Sequence, residues 1–384
     1  MPIRSNRSWL FTVSRMTILL LLGCKSGVHT GVSADAFDGS EMSGLDAQRA
    51  DASSVDASSV DVSSVDASSV DANGGGGPAQ SCIGLASTCG LTGNGPCCES
   101  PMVNGGTYDR SYDVGADMMY AGNAMDSPAT VSSFRLDKYE VSVRRFRQFV
   151  IAGQGTQLHP PPAGTGVHPN LVNSGWNPTW NVNLAGSTAA LVAAINCSPT
   201  LQTWTDIAGG NEDRPMNCLS WYEALAFCAW DGGYPPTEAE WNYAATGGND
   251  QRAYPWSYPL TSVDIGPDRA SYYVDATTEC FGDGVTGCAL SDLVVGGTKP
   301  AGDGRWGQSD LSGNVWEWVL DSYSNVYPLP CNDCAALVPA NPVFRVLRGG
   351  SFINPPALQR TAHRDKAVPG FRSTAVGVRC ARVL

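Results

Sequence analysis

Short stretches of apolar residues at helical spacing stand out along the C-terminal part of the chain. The clearest covers residues 142–152, where one side of a helix would carry Val143, Phe146, Phe149 and Val150. Apolar residues three and four positions apart share one helix face, so this segment is predicted to be a helix.

Two capping boxes predict two further helices. Ser220 with Glu223 opens one of them, and Thr237 with Glu240 opens the other; each helix then runs into a pair of glycines. In a capping box the hydroxyl residue and the acid three positions later satisfy backbone N–H groups at the helix start. The remaining sequence indicates loops and short strands, which together predict an α+β fold with few short helices.

The N-terminal residues have the pattern of a bacterial export signal. Basic residues precede an apolar run, residues 16–22, that is too short to span a bilayer as a mature helix. The run leads into the sequence LLGC, which ends at Cys24 and looks like a lipobox. We expect residues 1–23 to be a lipoprotein signal peptide and Cys24 to carry the lipid that anchors the chain to a membrane. A plain secretory signal with an unrelated cysteine is the alternative.

Residues 24–80 are predicted to form a disordered tether. Residues 51–72 repeat the unit DASSV, with an acid at every fifth position and no aromatic residue. Such a tract cannot bury enough apolar surface to offset the entropy of ordering. Between residues 31 and 80, nine acids and one base account for −8 of the formal charge of −12. An array that collects calcium is the alternative, but the acids lack the spacing of a calcium loop.

Outside the tether the charges nearly balance. No clustered basic face indicates a nucleic-acid partner, so nucleic-acid binding is not expected.

The cysteine count also fits an exported chain. Of thirteen cysteines, twelve remain once Cys24 is set aside, an even number that is expected to form disulfides in an oxidising compartment. Residues 81–99 hold four of them in a Gly- and Pro-rich run, which favours a disulfide-stapled lead-in over a metal cluster. The Cys-x-x-Cys of Cys331 and Cys334 can be redox-active or bind metal. It lies in a Pro-rich loop, so a structural disulfide is expected.

Four sequence blocks follow one another in the C-terminal region: residues 134–149, 215–256, 310–321 and 345–380, which include PTEAEW, DLSGNVWEW and RVLRGGSF. In this order they resemble the formylglycine-generating enzyme (sulfatase-modifying factor) family. The resemblance implies one domain over residues 100–384, with an irregular, loop-rich fold similar to C-type lectin-like domains and small antiparallel sheets. It also implies a disulfide between Cys228 and Cys380.

The block at residues 310–318 is a candidate calcium site. Asp310 and Glu317 flank a Gly-containing turn, and carboxylates with backbone carbonyls are the ligands that calcium prefers. The family resemblance implies a structural calcium ion here, bound by the side chains of Asp310 and Glu317 and the carbonyls of Gly313 and Val315. A turn held by Asn314, without metal, is the alternative.

The resemblance implies a second calcium site in an earlier loop, on Ser271, Tyr272, Asp283 and Val285. Ser271 stands where the family usually has asparagine, and the loop length differs. Cys280 and Cys288 could staple this loop instead.

The catalytic signature of the family is incomplete. Formylglycine-generating enzymes oxidise a cysteine with molecular oxygen and copper(I), which two cysteines bind shortly after the Arg-Gly-Gly-Ser-Phe block. Here Asn354 and either Pro356 or Gln359 stand at those positions, and no cysteine occurs between Cys334 and Cys380. Copper(I) requires soft thiolate ligands, so copper is not expected.

Two functions follow as hypotheses. The first is a lipoprotein of the cell envelope, in the outer membrane, whose calcium-stabilised domain binds a protein, peptide or glycan. The second is an oxidoreductase of the family that oxidises a cysteine of a sulfatase-type substrate with a divergent active site.

Overall fold

The computed structural model describes residues 79–113, 125–274, 279–337 and 344–384. The predictions for the signal peptide and Cys24, and nearly all of that for the tether, concern residues outside these ranges. No helix among the described residues is both long and apolar enough to cross a membrane.

The described residues form four α-helices: α1 (Val143–Ile151), α2 (Thr188–Ile195), α3 (Trp221–Trp230) and α4 (Glu238–Ala245). Three of them, α1, α3 and α4, confirm the helices predicted from apolar spacing and capping boxes. Both boxes are formed: the hydroxyl of Ser220 accepts the Glu223 N–H at 3.3 Å, and that of Thr237 accepts the Glu240 N–H at 3.0 Å. The sequence pattern does not predict α2.

The strands are short, as the α+β prediction requires. They are β1 (Met102–Val103), β2 (Gly106–Asp109), β3 (Pro128–Val131), β4 (Phe134–Leu136), β5 (Tyr273–Val274), β6 (Glu279–Cys280), β7 (Trp316–Ser322), β8 (Arg345–Arg348), β9 (Asp365–Ala367), β10 (Val376–Gly377) and β11 (Ala381–Arg382). A four-stranded sheet has the order β10-β7-β8-β9, and a three-stranded sheet has the order β1-β4-β11. The pairs β2–β3 and β5–β6 are separate hairpin-like ribbons.

The four-stranded sheet is mixed. Strand β10 runs parallel to β7, whereas β8 is antiparallel to both β7 and β9. Every residue of β7 and of β8 is buried, because helices and loops cover both faces of the sheet. These two central strands therefore hold the segments at their ends, residues 310–315 and 349–354, in fixed positions.

The main core joins α1 and α3. Phe146 and Phe149 of α1 pack against Phe227 of α3, with ring centroids 5.6 Å and 5.7 Å apart. All three rings are fully buried, and buried aromatic side chains contribute large apolar areas to a core. The stripe on α1 that is visible in the sequence therefore faces the interior.

All twelve described cysteines are paired, which confirms the prediction of a disulfide framework. The bonds are Cys82–Cys98, Cys89–Cys97, Cys197–Cys218, Cys228–Cys380, Cys280–Cys288 and Cys331–Cys334. The bond between Cys228 and Cys380, implied by the family resemblance, ties α3 to the residue that precedes β11.

A group of four charged residues, of which Arg382 is partly exposed and the other three are buried, joins α1, α3 and the chain's end. Arg145 lies 2.8 Å from Asp137 and 2.6 Å from Asp231. Arg382 lies 3.1 Å and 2.6 Å from the same two carboxylates. The two guanidinium groups and the two carboxylates neutralise each other, which is the condition for burying charges. We call these residues the ion quartet.

Candidate functional site

A tight turn follows β8 and forms the floor of the candidate site. Gly349 and Gly350 both have positive φ angles, 98° and 75°, which favour glycine. A side chain at Gly350 would also lie 2.8 Å from Gln359. The turn is bonded to the segment before β7, since the carbonyl of Gly349 accepts the Gly313 N–H at 2.9 Å.

Two side-chain amides lock the segment after this turn. The Nε2 of Gln359 donates to the carbonyls of Ser351 at 2.8 Å and Asn354 at 2.9 Å. The Oδ1 of Asn354 in turn accepts the Trp316 Nε1–H at 2.7 Å and the Ser351 hydroxyl. Gln359, rather than Pro356, thus faces Asn354. We call Asn354 and Gln359 the amide pair.

The amide pair does not fit copper(I). Gln359 is fully buried, its nitrogen is used as a donor, and its Oε1 has no hydrogen-bond partner among the described residues. Amide groups are hard donors, whereas copper(I) prefers thiolates. Every cysteine in the described part of the chain is bound in a disulfide, so no thiolate is available there.

Aromatic residues border the locked segment. The rings of Tyr254 and Trp256 stack with centroids 5.0 Å apart, and the Tyr254 hydroxyl donates to the Pro356 carbonyl at 2.8 Å. Tyr258, two residues further on, is 91% exposed, and Ile353 is 41% exposed. Within the locked segment, Ile353 therefore presents an apolar side chain to solvent.

The predicted calcium ligands Asp310 and Glu317 lie in one buried cluster with a third carboxylate, Glu140. Glu317 is engaged by Arg379, with an oxygen–nitrogen distance of 2.6 Å, and it also accepts the Trp241 Nε1–H at 2.7 Å. Its oxygens are therefore already bonded. Asp310 is less engaged: within the described residues, only its Oδ2 accepts a hydrogen bond, from the backbone N–H of Gly297 at 2.7 Å.

Glu140 was not suggested by the sequence as a member of this site. Its carboxylate accepts the Asn314 amide at 2.6 Å and the Val315 N–H at 3.2 Å, so it braces the turn that the predicted ligands form. Burial, and then the nearby carboxylates of Asp310 and Glu317, raise the pKa of Glu140 well above its usual range. Some 170 residues separate it from its partners, so no local spacing could reveal it.

The charges of this cluster favour a bound cation. Burial raises the pKa of Asp310 to about 6 despite the nearby Arg379 and Lys299. The raised pKa values of Asp310 and Glu140 mean that a negative charge is costly in this buried site, and a bound cation would reduce that cost. Carboxylates with backbone oxygens suit calcium, so the donor set fits this ion. Asp310 has the least engaged carboxylate of the three, because both oxygens of Glu140 accept hydrogen bonds and Glu317 is paired to Arg379, so Asp310 would contribute the side-chain ligand.

The four residues of the second predicted calcium site do not form a comparable cluster. The Ser271 hydroxyl donates to the Asp292 carbonyl at 2.6 Å and is buried. Asp283 is exposed and accepts the Val285 N–H at 2.8 Å. The disulfide between Cys280 and Cys288 staples this loop.

Comparison with known proteins identifies the family to which the chain is similar. Residues 93–384 match the sulfatase-modifying factor enzyme 1-like domain. The chain is 30% identical over 304 residues to the formylglycine-generating enzyme of Thermomonospora curvata, a match that covers 73% of this chain and 91% of that one. It is 32% identical over 175 residues to the inactive C-alpha-formylglycine-generating enzyme 2 of Mus musculus, covering 44% and 49% of the two chains.

PvdO from Pseudomonas aeruginosa is 20% identical to this chain with a TM-score of 0.49, and the match covers 74% of this chain and 93% of that one.

Proposed function

Because the chain belongs to the family of sulfatase-modifying factor enzyme 1-like domains, we propose that it keeps the family scaffold but not the copper chemistry, and that it serves as a binding module. The observation that carries this proposal is the amide pair. Asn354 and either Pro356 or Gln359 stand where the family resemblance implies the copper cysteines, and the hydrogen bonds of the amide pair fix the segment between them.

The amide pair also favours binding over catalysis on physical grounds. A catalytic copper site needs ligands that remain free to take up a metal and a substrate. Here the oxygen of Asn354 accepts two hydrogen bonds, and the nitrogen of Gln359 donates two. Removing such buried partners costs several hydrogen bonds, so the segment is a rigid support. The exposed Ile353 within it supplies an apolar contact that a ligand could use.

A structural calcium ion is part of the proposal. It would neutralise the charge of the Asp310 carboxylate and so strengthen the turn before β7. The turn that would hold calcium is bonded to the turn before the locked segment, because the Gly313 N–H donates to the carbonyl of Gly349. Its role would be to stabilise the scaffold, with no part in a reaction.

The ligand and the location are also proposals. The tether and the LLGC sequence ending at Cys24 support a lipoprotein of the cell envelope, held in the outer membrane, that presents the domain to a protein, peptide or glycan. Nothing in the charge distribution favours nucleic acid.

The identity to a formylglycine-generating enzyme supports the second hypothesis, a divergent oxidase.

One assay separates the binding module from the divergent oxidase. The purified chain, loaded with copper(I) in air, is mixed with a peptide that carries a sulfatase-type cysteine, and the product is read by mass spectrometry. The Thermomonospora curvata relative is the positive control. We expect no formylglycine from this chain, whereas turnover comparable to the control would favour the oxidase. Glycan and peptide arrays, probed with the wild-type chain and Ile353→Ser, then test the binding surface.

A further inference from the structure

The disulfide between Cys331 and Cys334 closes a very short loop, so it is expected to contribute little to stability. Its two cysteines are separated by 3 positions, whereas Cys228 and Cys380 are separated by 152. In the chain-entropy model, a disulfide restricts the unfolded chain less as its loop becomes shorter. From the sequence alone we expect a structural bond here, but its contribution to stability is the smallest of the six on this criterion.

Hydrogen bonds hold this loop independently of the disulfide. The Cys331 carbonyl accepts the Thr130 N–H at 2.9 Å, and the Asp333 N–H donates to the Thr130 carbonyl at 2.8 Å. The Asp333 carboxylate accepts the Ser132 hydroxyl at 2.6 Å and the Asn170 amide at 2.8 Å. The loop is thus pinned to strand β3, and it can keep its position when the sulfur–sulfur bond opens.

A buried positive charge lies against one of the two sulfurs. Nη1 of Arg110 lies 3.3 Å from Sγ of Cys334, and Arg110 is only 4% exposed. Its other donors reach the carbonyls of Ser127 and Pro328, and its guanidinium lies 4.4 Å from the centre of the Tyr327 ring. Among the described residues, no carboxylate forms an ion pair with it.

An unpaired buried guanidinium changes the chemistry of the neighbouring cysteine. A buried charge without a counter-ion is costly, and a thiolate on Cys334 would supply that counter-ion. Positive charge next to a cysteine favours its thiolate. A disulfide whose reduced form is stabilised in this way is a stronger oxidant. In the described part of the chain, no other cysteine sulfur accepts a hydrogen bond from a guanidinium.

The two sulfurs differ in access. Cys331 is buried, whereas Cys334 is partly exposed, so an incoming thiolate reaches Cys334 first. A cavity of about 180 Å³, lined in part by Asp333, Asn170 and Ser132, adjoins the same loop.

We propose that the Cys331–Cys334 disulfide is redox-active and oxidises paired thiols of a protein or peptide. A substrate thiolate attacks Sγ of Cys334, the sulfur–sulfur bond breaks, and Cys331 leaves as a thiolate that takes up a proton. The second substrate thiol then attacks the mixed disulfide, and Cys334 leaves as a thiolate beside Arg110. The substrate becomes a disulfide, and two electrons pass to the chain. This site is separate from the amide pair and from the calcium cluster.

The test is a redox titration of the full chain in buffers of reduced and oxidised dithiothreitol, with differential alkylation and peptide mass spectrometry. The matched control is Cys280–Cys288, whose Cys288 is more exposed than Cys334. We expect Cys331–Cys334 to open at a reductant ratio at least about ten-fold lower than the control. If exposure alone decides, Cys280–Cys288 opens first, or the two open together, and either result overturns the proposal.

The variant Arg110→Gln tests the role of the charge. The pH at which reduced Cys334 is half-reactive towards alkylation is expected to lie below about 7.5 in the wild-type chain and to rise towards about 8.5 in Arg110→Gln. Arg110→Lys keeps the positive charge, so the pH at which its Cys334 is half-reactive should stay close to that of the wild-type chain. An identical pH profile in all three proteins would overturn the proposal. If Arg110→Gln does not fold, the comparison of the two wild-type disulfides still decides.

Discussion

Replacing Asp137 with asparagine should destabilise the domain strongly, because it removes one carboxylate from the ion quartet. Asp137 is 1% exposed and lies 2.8 Å from Arg145 and 3.1 Å from Arg382. In the variant, two guanidinium groups share the single carboxylate of Asp231, and a net positive charge stays buried. Breaking a buried ion pair by removing one partner costs about 3–5 kcal/mol.

The pKa of Asp137 gives a second measure of the same effect. Burial alone would raise this pKa, but the guanidinium groups of Arg382 and Arg145 outweigh it and lower the value to about 2 from 3.8. Because the pKa is depressed in the folded state, the stabilisation is present above about pH 4 and is lost as the pH falls towards 2. The shift corresponds to about 2 kcal/mol.

The assay is urea unfolding followed by tryptophan fluorescence, with disulfides intact and a calcium chelator present throughout. The gap in free energy of unfolding between the wild-type chain and Asp137→Asn should be about 3–5 kcal/mol at pH 7 and should shrink by about 2 kcal/mol between pH 5 and pH 2. The control is Asp264→Asn, because the side chain of Asp264 is 80% exposed. It should change stability by no more than about 0.5 kcal/mol. A gap for Asp137→Asn as small as this control, or one that does not change with pH, would refute the reasoning.

Three further predictions concern stability. Chelating calcium should lower the free energy of unfolding by about 2.7 kcal/mol if calcium was present at 100 times its Kd, and Asp310→Asn should abolish that response in a thermal-shift assay. Replacing Cys228 and Cys380 together with serine should cost about 5 kcal/mol in the chain-entropy model, since 152 positions separate them; chemical unfolding that detects less than 1 kcal/mol would contradict this. Gln359→Ala should cost about 2–3 kcal/mol, because two buried hydrogen bonds and their packing are lost; hydrogen exchange should show the loosening at Asn354.

Local signals in the sequence predicted the helices well. The hydroxyl and acid of a capping box are three residues apart, and the apolar stripe of α1 repeats within one turn, so both patterns fit inside a short window. Helix α2 was not predicted because its sequence, TAALVAAI over Thr188–Ile195, has no polar side that would define a helix face. The hydroxyl of Ser187 does cap it, accepting the Ala190 N–H at 3.2 Å, but serine alone is a weak signal.

Contacts between distant segments could not be read from the sequence. Glu317 was expected to face calcium, yet Arg379 engages it from 62 positions away. Arg110 donates a hydrogen bond to the Cys334 sulfur, although 224 positions separate the two residues in the sequence. The sequence left Pro356 and Gln359 as alternatives for the second position at which the family resemblance implies a copper cysteine. The hydrogen bonds that the 3₁₀ turn Pro356–Gln359 forms, by returning Gln359 to the Ser351 and Asn354 carbonyls, could not be predicted from that spacing.

The most direct test of the copper-free assignment is anaerobic copper(I) titration against a chromophoric competitor, with disulfides intact. The wild-type chain is compared with the double variant Asn354→Cys/Gln359→Cys and with Asn354→Ser/Gln359→Ser, which removes the amides without supplying thiolates. We predict no stoichiometric copper on the wild-type chain or the serine variant, and about one copper(I) on the cysteine variant. Tight, stoichiometric copper(I) on the wild-type chain would contradict the account.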